Sequence, residues 1–389
     1  MFSTLKNPAL VKIYAIPLMQ SSVGSMSWAI SILYALELGA STLQVNLITT
    51  MRSTMGILLL VPFGFLSDRF GRRPMIVYPR IVMIVGTLMR AFATDPNHLI
   101  LASLVGGFAG GSYFPILLSM IADIAKPEEQ QASISTLFFC SSIGMVLGPS
   151  IATFLLTIPQ ITLRSIYQIT AIAQAGVLVY LFTQIRETKP QANENAKFQV
   201  LPHIKDLIRR ESFQALLGVM FLYFFNYSIV TTYLPIHGRV NLTLSNAEVT
   251  SFSFYRSLGI LLIRFSTAAF LTRVSIRPFF ILVLALGGVA GLLSPYANSY
   301  PAIVLTFFLA GVSFGAVRIL STTIVAKNAT PENRGTANGL LDIGQSAGNF
   351  TKILTSSMAD SVGLTPVFVL GGTVGLATVI PVVLRRVGS

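Results

Sequence analysis

Charge is what this chain has least of. Only 11% of its 389 residues are Asp, Glu, Lys or Arg, against about 25% in an ordinary soluble domain. So few charges cannot cover a water-facing surface of this size, which excludes a soluble enzyme, a secreted module and a disordered tail. Cysteine is nearly absent too: Cys140 stands alone inside an apolar run, so no intrachain disulfide can form. The three histidines, His98, His203 and His237, are far apart and have no metal-ligand spacing. No Gly-x-x-x-x-Gly-Lys-Ser/Thr loop is present for ATP, and no Gly-x-Ser-x-Gly or His-Glu-x-x-His motif for hydrolysis. The chain reads as a non-enzyme with no cofactor and no metal.

What fills the sequence is apolar: 53% of residues are hydrophobic, arranged in runs long enough to cross a bilayer as helices, which takes about 20 residues each. Barrel strands would alternate over about ten residues, and these runs are longer and uniformly apolar. The fold class is all-α integral membrane with twelve spans, at 10–36, 43–66, 75–94, 98–123, 132–157, 165–185, 213–236, 247–271, 279–296, 301–326, 336–358 and 364–384. The first run is too long for a signal-peptide core and stays as a span. The 27 basic residues outnumber the 14 acidic ones by 13. They fall between apolar runs, so they read as a topology signal rather than a nucleic-acid surface. With the N-terminus inside, the outer loops hold only Arg164 and Arg239. That asymmetry places both termini in the cytoplasm of a multi-pass protein of the cell inner membrane.

One long polar stretch, 186–211, separates the halves as a cytoplasmic linker, giving bundles at 1–185 and 212–389. The halves repeat at a fixed offset of 204 residues: Arg52 falls on Arg256, Arg73-Pro74 on Arg277-Pro278, Gly107 on Gly311, Pro127 on Pro331 and Gly144 on Gly348. Six spans per half give the repeats the same orientation, so they are parallel repeats about an axis along the membrane normal.

After the second span the chain reads GFLSDRFGRRP, Gly64 to Pro74. This resembles the signature loop of the major facilitator superfamily and sits in the same inner loop. The resemblance covers essentially the whole chain and implies two six-helix bundles around a cavity opened alternately to each side. It implies a gating role for Gly64, Asp68, Arg69, Gly71, Arg72 and Arg73. On the residues' own chemistry, Gly71 permits a tight turn, Pro74 starts the next helix, and Asp123 at the inner end of span four is the acid best placed for Arg72 or Arg73. The second half has Thr272 and Ser275 where Asp68 and Gly71 stand, so gate chemistry concentrates in the first half. Span five carries Gly144, Gly148 and Pro149, similar to the superfamily's antiporter motif. The alternative for these is ordinary small-residue packing. Ser103 stands where proton-coupled exporters of the superfamily often carry arginine.

Charges inside spans cost at least about 2.5–3.5 kcal/mol each on insertion scales, which makes each a candidate for function. Asp342, the one acid well inside a span, is the main proton-coupling candidate, with Asp68 second and Arg52, Arg256 and Arg264 as further coupling residues. Arg80 and Arg90 lie near the ends of span three, where snorkelling would satisfy them. Cavity candidates are Gln20, Ser21, Trp28, Tyr113, Tyr223, Asn226, Tyr227 and Arg318. The expected function is alternating-access efflux of a small molecule, driven by the proton gradient, by a monomer in the lipid bilayer. The alternatives are an importer of a sugar, organic anion or other metabolite, and a non-transporting sensor on the same fold. This set of charges is more cationic than anionic, which favours anionic or neutral cargo.

Overall fold

An apolar run in lipid must satisfy its backbone internally, and a helix does so. The computed structural model describes residues 4–59, 66–67, 69–108, 113–188, 205, 207–270, 275–328 and 334–385, and among them it contains helices and no strand. Helix starts carry the expected chemistry. The first span begins at Pro8, with the Asn7 side chain accepting from the Ala9 amide at 3.0 Å. The sixth starts on a reciprocal Thr162–Ser165 cap. Where the residues are described, each of the twelve expected spans falls on helix, broken in places by short turns. Seven helices among the described residues are long and apolar enough to cross a membrane, from Arg72–Ala91 to Leu364–Leu384. The shorter ones include interrupted spans. Span one is Pro8–Ala29 followed by Ser31–Glu37, and span eleven is Arg334–Phe350 and Ser356–Val362 around a 3-10 turn at Thr351–Ile353. Membrane helices tolerate such breaks where they are buried in protein.

The chain divides into two compact units, 1–40 with 47–198, and 41–46 with 199–389. Glycine seams bring helices together in each. In the first, a side chain at Gly144 would run into the Leu18 carbonyl, and one at Gly148 into the Ser22 carbonyl, so spans five and one lie backbone to backbone. Ser21 and Ser141 hydroxyls bond across that seam at 2.8 Å, and Ser25 donates to the Gly144 carbonyl at 3.2 Å. In the second, Gly348 faces the Phe221 carbonyl in the same manner.

The 204-residue repeat is visible in these contacts. Gly107 meets the Arg52 carbonyl in one unit, and Gly311 meets the Arg256 carbonyl in the other. Arg73 donates to the Phe182 carbonyl at 2.8 Å, and Arg277 to the Val383 carbonyl at 2.7 Å. The glycine–arginine contact repeats residue for residue one offset apart, and the second arginine pair keeps the offset in its donors while its carbonyl acceptors lie 201 residues apart.

Candidate functional site

The signature loop forms a compact latch inside the first unit. Gly71 precedes the helix Arg72–Ala91 with φ of 100°, a conformation only glycine adopts freely. The Glu187 carboxylate, just past span six, accepts from the Arg72 amide at 2.9 Å and the Arg73 amide at 3.1 Å, capping that helix start. Arg72 Nε lies 3.5 Å from Asp123 Oδ2, and Thr188 donates to the same oxygen at 3.2 Å. Arg72 also donates to Ser67 at 2.9 Å, while Arg69 lies over the Phe70 ring, 5.6 Å from its centroid. Gly64 and Asp68 lie outside the described residues. Glu187 is a residue the sequence reading missed, because it stands at the start of what reads as linker. A carboxylate one turn beyond a span and opposite a glycine-led helix start was the signal.

Gly71→Ala tests the latch. It places a Cβ 2.5 Å from Glu187 Oε2 in a backbone conformation nearly exclusive to glycine. The expected cost is about 1–3 kcal/mol, read as a lower unfolding temperature in detergent. Serine at the equivalent position of the second half, Ser275, sits at φ −60°, so the same strain is absent there.

Arg80 and Arg90 do not snorkel: they are 4% and 6% exposed. Arg80 bonds the Gln20 side-chain oxygen and lies over the Tyr113 ring, 5.6 Å from its centroid. Three residues from spans one, three and four thus meet at one point. Arg90 reaches Ser103 Oγ at 3.4 Å and lies over Gly106, whose missing side chain leaves room for the guanidinium. Nearness to the span ends suggests snorkelling, but the helical spacing puts Arg80, Thr87 and Arg90 on one face, and that face is buried. Ser21 sits in the glycine seam, and Trp28 is half-buried further along the same helix. Pro149 lies within the helix Pro127–Leu155. Arg52 is half-buried on span two, its carbonyl against Gly107.

In the second unit the structure brings four of the expected residues into two contacts. Arg318 Nη1 meets Asp342 Oδ1 at 2.8 Å, with Gln345 Oε1 at 3.1 Å from the same nitrogen. The pair is partly open, with side chains 29% and 31% exposed. Arg256 donates to the Tyr227 hydroxyl at 2.8 Å and is 8% exposed. Arg264 lies on the same helix, two turns further along. Tyr227 stacks on Phe314, centroids 4.8 Å apart, and on Tyr223 at 6.1 Å. Tyr223 itself bonds Ser313 at 3.0 Å, and Asn226 donates to the Gly287 carbonyl at 2.8 Å while packing against Gly375. Both are 1% exposed and tie helices together.

Lys352 was also missed. It occupies the 3-10 turn that breaks span eleven, is 4% exposed, and its ammonium lies 3.5 Å from Thr232 Oγ1. Among the described residues no carboxylate lies within ion-pair distance of it. A lysine well inside the 336–358 run, six residues from its end, was the available signal.

Long apolar helices with breaks, buried basic residues and a repeated pair of units are the features of a polytopic membrane protein. The sequence matches the family described as Major Facilitator Superfamily over residues 16–351, with a further match over 241–388. The chain belongs to that superfamily, whose members are transporters and not enzymes. It is 23% identical over 333 residues to "Quinolone resistance protein NorA" of Staphylococcus aureus (strain N315), covering 85% of this chain and 84% of that one. It is also 32% identical over 127 residues to "Multidrug resistance protein MdtH" of Yersinia pestis (strain Pestoides F), covering 33% and 32%. The human organic anion transporter MFSD10 (TETRAN) has the same fold, with a TM-score of 0.71 at 17% identity over 96% of this chain and 98% of that one. A POT family transporter in complex with a thioalcohol-conjugated peptide superposes with a TM-score of 0.81 at 13% identity, covering 97% and 96%.

Proposed function

We propose that this transporter exports a small molecule and couples export to proton entry, with Asp342 carrying the proton. The observation that supports the reading is the partly open Arg318–Asp342 pair. A proton on Asp342 removes its charge and releases Arg318, and loss of the proton restores the pair. That gives the unit two arrangements set by one proton, as alternating access requires. One proton moving through 100 mV is worth about 2.3 kcal/mol, enough to hold a cargo gradient of about one and a half decades. The resistance functions in the names of NorA and MdtH favour export over import. The site is the inner membrane, with both termini cytoplasmic and a monomer as the working unit.

The test is efflux from energised cells, with ethidium and carboxyfluorescein followed in parallel. The expected result is efflux of at least one dye that stops when a protonophore collapses the gradient. Net uptake that requires the inward proton gradient would replace export with import.

A further inference from the structure

The second unit places a buried guanidinium against an aromatic stack. Arg256 is 8% exposed, and its hydrogen bond to Tyr227 leaves Nε without a partner among the described residues. Among the described residues its charge meets no carboxylate, and Asp342 is held by Arg318. Beside it, Tyr227 and Phe314 lie nearly parallel, 21° between ring planes, and Phe224 packs edge-on to Phe314 with centroids 5.8 Å apart. Phe314 is the partly exposed member of this stack, and one helical turn on from it lies Arg318, also partly exposed. A buried cation with a free N–H lowers its energy by receiving an oxyanion. A partly exposed ring over a stack offers the flat face on which another ring is held.

We propose that Arg256, Tyr227 and Phe314 form the recognition site for a planar aromatic anion, its carboxylate or similar oxyanion on Arg256 and its ring against Phe314. This names the cargo of the exporter proposed above and rests on that reading only for direction. Among the described residues no hydrogen bond joins Arg256 to the Arg318–Asp342 pair. Cargo and proton are therefore linked through the state of the unit rather than through a shared atom.

The test is direct binding to the purified full-length chain in detergent at fixed pH with no gradient. Three probes are compared: 2-naphthoate, cyclohexanecarboxylate and the cation 2-naphthylmethylammonium. Naphthoate is expected to bind best of the three. Arg256→Gln should weaken naphthoate about tenfold or more, the loss of a charge-assisted contact, with Arg256→Lys restoring part of it. Phe314→Leu should weaken naphthoate and leave cyclohexanecarboxylate nearly unchanged. Cation binding equal to or tighter than naphthoate, or naphthoate binding indifferent to both substitutions, overturns the assignment. The wild-type comparison of probes stands even where a variant does not fold. Naphthoate that binds as described but is not exported leaves this site intact and refutes export instead.

Discussion

Asp342→Asn is expected to cut the proposed proton-driven transport severely while leaving the protein folded. The substitution keeps the size and one acceptor oxygen of the side chain but can neither bind nor release a proton near neutral pH. Flux driven by a pH gradient in proteoliposomes is expected to fall about tenfold or more. Exchange of labelled for unlabelled cargo at equal pH on both sides, which needs no net proton movement, should persist. The stability cost is small, about 1 kcal/mol, because the ion pair with Arg318 is about one-third exposed and screened. Gln345 remains as a partner for the guanidinium at 3.1 Å. Loss of both modes together would mean that Asp342 holds the site's shape and does not carry the proton. Full retention of gradient-driven flux would remove it from the mechanism.

The division between what the sequence reveals and what it hides follows from which quantities are periodic. Long apolar runs, the basic bias of one side and the fixed offset are properties of position along the chain, so the all-helical membrane class and the repeat are legible. The contact of Gly107 with the Arg52 carbonyl and of Gly311 with the Arg256 carbonyl shows that the offset carries structure as well as residue type. The Arg72–Asp123 contact is legible because basic and acidic residues at adjacent inner ends have few other partners. Burial inside a bundle is harder to read. Arg80 and Arg90 turn inward because Gln20, Tyr113 and Ser103 wait there. The spacing of span three does carry the signal: Arg80, Thr87 and Arg90 recur on one helical face, and the apolar Tyr78, Ile81, Val85 and Leu88 lie exposed on the other. Lys352 lies in a break that apolar counting does not detect, and Glu187 reaches back from a segment that composition marks as linker.

Gly148→Leu is expected to be the most destabilising single change in the first unit. A Cβ at this position would collide with the Ser22 carbonyl, with Ser25 Oγ, and with the Met26 amide nitrogen at 2.7 Å. Two of those three atoms are backbone, so no rotamer change relieves the clash and spans one and five must part. Separation also breaks the Ser21–Ser141 and Ser25–Gly144 hydrogen bonds along the same seam. Overpacking alone costs about 1–3 kcal/mol, and the lost interhelical bonds add about 0.6 kcal/mol each. The measurements are the yield of monodisperse protein in detergent and its unfolding temperature, both expected to fall sharply. Even Gly148→Ala should be poorly tolerated, since the first carbon already meets backbone. Gly176→Ala is the control: a Cβ there meets nothing within 4 Å, and the better helix former should leave stability equal or raised by up to about 1 kcal/mol. A Gly148→Leu protein as stable as the Gly176→Ala protein would mean that spans one and five do not pack through this glycine. Gly144 and Gly148 would then need another role, and the resemblance of this stretch to an antiporter motif would rest on function rather than close packing.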